Sequence, residues 1–172
     1  MTFLCFSVFT ISSIAQSKDF KTFLNNFKKL EFPFTVNDSP VKNNKTLFTK
    51  EFNRVEFLKY LNSIKEYTNK NTYFYYGSQA QFHGKNILIY RITNFGEAPA
   101  LDTIKIVLVV FNTKGKMLSK MMIGGQVTED KQINCILNAD FTLTVSTLDA
   151  SNKLKNKKEY FIDSNGEIKK QL

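Results

Sequence analysis

The sequence predicts an α+β fold in which two N-terminal helices pack on one face of a curved antiparallel meander of six to eight β-strands. The first observation is that apolar residues recur every three or four positions up to Tyr67 and every second position after Thr72. The second is that turn sequences interrupt the later chain about every eight to twelve residues, as in consecutive hairpins. A partly closed β-barrel plugged by the helices is the alternative fold.

The first fifteen residues have the features of a signal peptide. An uncharged run from Thr2 to Ile14 ends with small residues at Ser13 and Ala15, and a lysine-rich chain follows. The run is too short to span a bilayer core of about 30 Å. We therefore predict cleavage after Ala15, export to the periplasm or the extracellular space, and one domain over residues 16–172. A buried N-terminal helix or strand is the alternative.

Two helices are predicted before the meander. The first follows Ser17, with its apolar stripe marked by Phe20, Phe23 and Phe27, and it ends before Pro33. A short strand of alternating apolar residues is expected over residues 32–36, at an edge of the sheet because proline cannot donate to a ladder. The second helix is predicted over residues 50–67, with Thr49 as its N-cap.

Eight strands are predicted from the alternating pattern that follows. They are Tyr73–Phe82, Asn86–Ile92, Thr103–Phe111, Lys116–Ile123, Gln132–Asn138, Phe141–Leu148, Glu159–Asp163 and Glu167–Lys170. The sequences Asn112–Gly115 and Asp163–Gly166 are typical of short hairpin loops, with glycine where a positive φ is needed. Sequential hairpins favour an antiparallel meander.

The charge of the chain argues against nucleic-acid recognition. The net charge is +9, but of the 24 basic residues only Arg54 and Arg91 are arginines, and phosphate recognition favours the arginine fork. Scattered lysines instead suit a hydrated surface with weak attraction to acidic glycans or anionic lipids. No segment after Ala15 is long and apolar enough to predict a transmembrane anchor.

The residues that could support catalysis are few. His83 is the only histidine and is expected in a turn, and Cys135 is expected on a buried strand face. These residues predict no metal site, no cofactor site and no nucleophile paired with a base. A glycosidase-like pair of carboxylates is the remaining enzymatic alternative. Its candidates are Glu97, Asp102, Asp140 and Asp149.

The most suggestive local group is aromatic. Tyr73 and Tyr75 would share one face of a strand, and Tyr90 and Arg91 lie on the next strand. An exposed tyrosine row beside an arginine could stack on sugars or anchor a protein partner. These four residues are the candidate partner-binding site. The alternative is that both faces of these strands are covered.

The order of these features resembles small exported proteins of unknown function from Bacteroidetes-type bacteria. The segments that carry the resemblance are Leu30–Val36, which follows a Phe- and Lys-rich helix, and Tyr160–Ile168, which closes the meander. The resemblance implies a periplasmic or surface location, and it transfers no catalytic residue.

The sequence therefore predicts a non-catalytic exported module that binds a protein or glycan partner of the cell envelope through one face of its sheet. Two alternatives remain open. One is a small hydrolase that uses a carboxylate pair, and the other is a structural envelope subunit that assembles through an exposed edge strand.

Overall fold

A computed structural model describes residues 19–36, 48, 50–51, 59–61, 72–94, 103–128 and 131–171. Strands make up 64% of these residues, and ten strands form one mixed sheet. The strands are β1 (Lys28–Lys29), β2 (Phe34–Val36), β3 (Thr72–Phe82), β4 (Lys85–Asn94), β5 (Thr103–Phe111), β6 (Met117–Thr128), β7 (Lys131–Leu137), β8 (Thr142–Leu148), β9 (Leu154–Ile162) and β10 (Ile168–Lys170). The predicted signal peptide over residues 1–15 lies outside the described residues.

The predicted fold class is wrong, because the described part of the chain is mostly β, with helix only at residues 19–24 and 59–61. The first predicted helix stops early because Lys28 and Lys29 pair in parallel with Ser78 and Gln79 of β3. Gln79 also donates from Nε2 to the carbonyl oxygens of residues 24 and 27, at 2.9 and 3.3 Å. Pairing with a neighbouring strand therefore overrides the helical spacing of the apolar residues.

The start of the second predicted helix is also extended. Glu51 forms an antiparallel bridge with Tyr75, and the Tyr76 N–H donates to the carbonyl oxygen of Lys50 at 2.9 Å. Residues 59–61 are helical, and residues 52–58 and 62–67 lie outside the described residues. Residues 28–29 and 50–51 thus both pair with the outer edge of β3.

Each of the eight strands predicted for the meander has an observed counterpart, although β6 and β9 are longer than expected. Strands β3 to β10 are antiparallel neighbours in chain order. The sheet is larger than predicted because β1 adds to β3 and β2 pairs with β7. The order of hydrogen-bonded strands runs from β1 to β10, and these two terminal strands are not paired with each other among the described residues.

The two faces of the sheet form separate apolar clusters. The helix-side cluster joins residues from the helical segments to one face of β3, β4 and β5: Phe20, Phe23, Phe27, Tyr60, Leu61, Phe74, Tyr76, Leu88, Tyr90, Ile92, Val107, Val109 and Phe111. The interior cluster joins the other face to β7, β8 and β9, through residues such as Ile89, Leu108, Leu137, Leu143 and Ile162. The curled sheet therefore packs its two halves against each other.

Three of the hairpin turns share one geometry. Each begins with an Asn or Asp, at Asn112, Asp149 and Asp163, whose Oδ1 accepts hydrogen bonds from the backbone N–H groups two and four residues ahead, at 2.9–3.0 Å. The residue three positions ahead has a positive φ in each case and is Gly115, Asn152 or Gly166. These turns fix the register of the strands they connect.

Candidate functional site

The candidate site depends on a bulge in β3. From Phe82 opposite Lys85 to Ser78 opposite Ile89, the β3–β4 pairs follow a regular hairpin register. The register shifts by one residue at Gly77, so that Tyr75 lies opposite Arg91. In a regular hairpin Tyr76 would occupy that place, because each step from the turn advances one residue on both strands. The bulge therefore brings Tyr75 to the same face as Arg91.

Phe48 completes this arrangement, and Gly77 makes room for it. A Cβ atom at position 77 would meet the carbonyl oxygen of Ile89 and the Phe48 ring. Phe48 is buried, at 3% exposure, in the interior cluster. The absence of a side chain at Gly77 thus allows the Phe48 ring to lie against the strand beside Arg91.

Phe48, Tyr75 and Arg91 form what we call the Arg91 cluster. The Arg91 Cζ atom lies 4.1 Å from the centroid of the Tyr75 ring and 5.6 Å from that of the Phe48 ring. Its Nη2 donates to the carbonyl oxygen of Phe48 at 3.2 Å. These contacts hold the guanidinium in place by cation–π attraction and one hydrogen bond.

The guanidinium itself remains incompletely satisfied. Arg91 Nε is the one buried side-chain nitrogen or oxygen without a hydrogen-bond partner in the described part of the chain. Burial lowers the pKa of Arg91, and the Tyr75 side chain acts in the opposite direction. Arg91 forms no ion pair with a carboxylate of the described residues. A buried donor without an acceptor is unfavourable, and because Nε itself is buried, a ligand can approach only the part of Arg91 that remains exposed.

The structure brings together three of the four residues that the sequence suggested. Tyr73 lies on the same face as Tyr75, opposite Thr93, and is 36% exposed. Tyr90 is directed to the other face, where it is 3% exposed in the helix-side cluster. It is separated from Arg91 because successive side chains of a strand point to opposite faces.

Sequence reasoning did not identify Phe48 or Gly77 as parts of the site. Phe48 reaches Arg91 from a distant segment of the chain, and no local pattern encodes that contact. Gly77 could have been identified from the sequence, since a glycine inside a strand pattern often marks a bulge or a close backbone approach.

Cys135 and His83, the two residues considered as catalytic groups, occupy a buried strand position and an exposed turn. Cys135 is buried, and that burial raises the pKa of its thiol to about 12, so the thiol is protonated at neutral pH. His83 is an exposed turn residue with a positive φ of 45°, and the centroid of its ring lies 4.3 Å from that of the Phe82 ring.

The described candidate carboxylates are not brought together. Asp140 and Asp149 lie at opposite ends of β8, whose seven residues hold them about 20 Å apart at about 3.3 Å per residue. The carboxyl groups of a glycosidase pair are only about 5 to 10 Å apart. Asp140 hydrogen-bonds the Thr142 hydroxyl at 2.7 Å, which lowers its pKa, and Asp149 accepts from the Lys153 N–H. Glu97 and Asp102 lie outside the described residues.

A separate cavity of about 490 Å³ lies at the other end of β3. Its walls include Phe32 and Phe141, and the polar members are Lys29, Gln79 and Gln81. Phe141 has a φ of +62°, although the corresponding position of the three similar turns is Gly or Asn. The strained backbone places the Phe141 ring 4.4 Å from the Phe82 ring and 5.2 Å from the Phe32 ring, measured between centroids.

Comparisons of the chain with protein-family models, curated proteins and solved structures find no match. Among the described residues, no group of three or more His, Cys, Asp and Glu side chains is placed to hold a metal ion. None of the helices described has the length and apolar composition required to cross a bilayer.

Proposed function

We propose that the protein is a non-catalytic binding module that is exported after removal of residues 1–15 and contacts a protein or glycan of the cell envelope. The observation that carries the proposal is the Arg91 cluster, in which aromatic rings hold a partly buried guanidinium that forms no ion pair with a carboxylate of the described residues. Tyrosine and arginine are the residue types enriched at the energetic centres of binding surfaces.

The arrangement differs from that of most arginines with a purely structural role. An arginine that only stabilises a fold is usually paired with a carboxylate or projects its head into water, as the exposed lysines do. Arg91 instead has its charged group partly desolvated against Phe48 and Tyr75. Such a group is prepared to bind, because part of the desolvation and ordering has already occurred in the free protein.

The surroundings of the other chemical groups support a non-catalytic role. The Cys135 thiol is protonated at neutral pH, and Asp140 and Asp149 lie at opposite ends of one strand. The proposal therefore assigns recognition, and no reaction, to the described residues.

Binding is tested by immobilising the wild type, Arg91→Gln and Lys114→Gln and exposing each to a cell-envelope extract. Both variants remove one positive charge, but Lys114 lies in the exposed β5–β6 turn. We expect the wild type and Lys114→Gln to retain the same component and Arg91→Gln to lose it. Protease and periodate treatment of that component then distinguish a protein from a glycan. Equal retention by all three would contradict the proposal, provided that thermal unfolding shows Arg91→Gln to be folded.

Export is tested by mass spectrometry of the protein from the periplasmic and extracellular fractions of a Bacteroidetes-type host that expresses the full-length chain. We expect a chain that begins at Gln16. A full-length chain that is confined to the cytoplasm would overturn this part of the proposal.

Assembly through an edge strand is a second candidate function, favoured by one observation. Strand β9 pairs with β8 along its length, whereas β10 pairs only with Tyr160–Ile162. Residues 154–158 therefore have one edge without a strand partner among the described residues. Lys155, Lys157 and Lys158 would repel a second copy, so the association should strengthen with salt. Light scattering that shows a monomer at all protein and salt concentrations would exclude this candidate.

A further inference from the structure

We infer that the Arg91 cluster recognises the carboxylate of an acidic sugar, so that the partner is a glycan that contains uronic acid. The inference rests on the proposed function and specifies the ligand class of the same site. It combines three features of the described residues: a partly exposed arginine without a carboxylate partner among them, an exposed ring on the same sheet face, and an edge of β3 that is already paired.

The guanidinium of Arg91 favours a planar anion as the ligand group. Its five N–H groups form a fixed fork that fits a carboxylate with two parallel hydrogen bonds. Within the described chain, Arg91 donates to the Phe48 carbonyl oxygen through Nη2 but forms no ion pair with a carboxylate, and its side chain is only partly buried. The net charge of +9 favours the approach of an acidic polymer over longer distances.

The exposed ring indicates a sugar. Tyr73 and Tyr75 are two positions apart on one strand face, so their Cα atoms are about 7 Å apart. The carboxylate of a uronic acid lies at the edge of its pyranose ring. A pyranose packed on the exposed Tyr73 ring can therefore direct its carboxylate toward Arg91.

The outer edge of β3 is already paired, which disfavours an extended peptide as the ligand. Peptides commonly bind a sheet by adding a strand at an open edge. Here the outer edge of β3 already pairs with Lys28 and Lys29, and Glu51 bridges Tyr75 beside Arg91. The available contacts are therefore side chains on the sheet face, which suit a sugar ring better than a peptide backbone.

The test is isothermal titration calorimetry of the full mature chain with oligogalacturonate, alginate oligomers and unsulfated chondroitin, which carry different uronic acids. Carboxyl-reduced oligomers provide the neutral control, and poly-L-glutamate and inorganic phosphate provide the alternative anions. We expect at least one uronate oligomer to bind, its reduced form not to bind, and both alternative anions to bind more weakly.

The variants assign the binding to this site. Arg91→Gln should weaken uronate binding about tenfold or more, and Arg91→Lys should restore it only in part, because lysine lacks the planar fork. Tyr73→Ala should weaken it about fivefold through loss of the stacking surface. Lys114→Gln, which removes the same charge elsewhere, should bind within about twofold of the wild type.

The outcomes separate this inference from the proposed function. Tighter binding of poly-L-glutamate or phosphate than of any uronate, or uronate binding that is unchanged in Arg91→Gln, would overturn the inference. If no uronate binds but capture from the envelope extract still requires Arg91, the ligand class is wrong and the proposed function stands. If capture does not depend on Arg91, both are wrong.

Discussion

The two halves of the sheet bury their side chains differently. Strands β4 and β5 in the first half are buried on both faces, and Leu88 and Leu108, which face opposite ways, are both at 0% exposure. In the second half, Leu143 and Val145 of β8 face the interior cluster, while Thr142, Thr144 and Ser146 point outward and are partly exposed. Ile136 and Phe161, at 42% and 36% exposure, lie on the same outward face.

This difference shows why the candidate site lies in the first half. A guanidinium on an open face would be hydrated and would interact weakly with a ligand. Arg91 lies in this more deeply buried half but is itself partly exposed, so its charge is only partly desolvated and its orientation is fixed by Phe48 and Tyr75. The coverage that stabilises the first half therefore also prepares the site.

The largest effect should come from a truncation in the doubly covered half. Leu88→Ala removes a fully buried side chain from the helix-side cluster and should lower the free energy of unfolding by about 2–5 kcal/mol. Thr144→Ala on the open face should change it by no more than about 0.5 kcal/mol. Urea unfolding followed by circular dichroism measures both. Similar effects of the two substitutions would contradict the difference between the halves.

A smaller effect is expected at the bulge. Gly77→Ala introduces a Cβ against the Ile89 carbonyl oxygen and the Phe48 ring, and should destabilise the fold by about 1–3 kcal/mol. Because the Phe48 ring forms part of this steric clash, the double variant Phe48→Leu/Gly77→Ala should lose less stability than the sum of the two single variants in a double-mutant cycle. Strictly additive effects would show that the two positions do not interact.

Replacement of the site arginine should change stability little. Arg91→Met relieves a partly desolvated charge but also removes the hydrogen bond to the Phe48 carbonyl oxygen, so the free energy of unfolding should change by no more than about 1 kcal/mol while capture of the partner is lost. Lys114→Met serves as the exposed control and should change stability little. A clear loss of stability in Arg91→Met would indicate that Arg91 is primarily a structural residue.

The smallest effect should come from a turn in the open half. Lys169 Nζ, 2.7 Å from Asp163 Oδ2, holds the pKa of Asp163 below its usual range, with the Glu167 N–H acting in the same direction. Because the folded-state pKa is the lower one, the stabilisation is present above the unfolded pKa of about 3.9. It is lost as the pH falls through the folded-state pKa.

Asp163→Asn isolates this charge effect, because the amide oxygen can still accept the two N–H groups of the turn. The wild type should have a higher urea midpoint than the variant at pH 6, and the difference should shrink as the pH approaches about 3. A difference that stays constant between these pH values would show that the charge of Asp163 does not contribute.

The hairpins were predictable because their information is local. The turn sequences from Asn112 and from Asp163 contain both the side-chain acceptor and the glycine that the turn requires, so the strands on either side follow directly. The helices were predicted less well because apolar residues at helical spacing also occur in segments that pair with the sheet. Lys28 and Lys29 became a strand through pairing with β3, a contact about fifty residues away in sequence.

By itself, the sequence determined the order of the meander strands, the alternation of their apolar residues and the presence of an aromatic segment near Arg91. Only the tertiary structure decided which tyrosines share a face with Arg91, because one unpaired residue at Gly77 shifts the register and turns Tyr75 toward it. Only the tertiary structure brought Phe48 onto the guanidinium. Alternation within a strand is a local property, whereas register across a bulge and the burial of a charge depend on how distant segments pack.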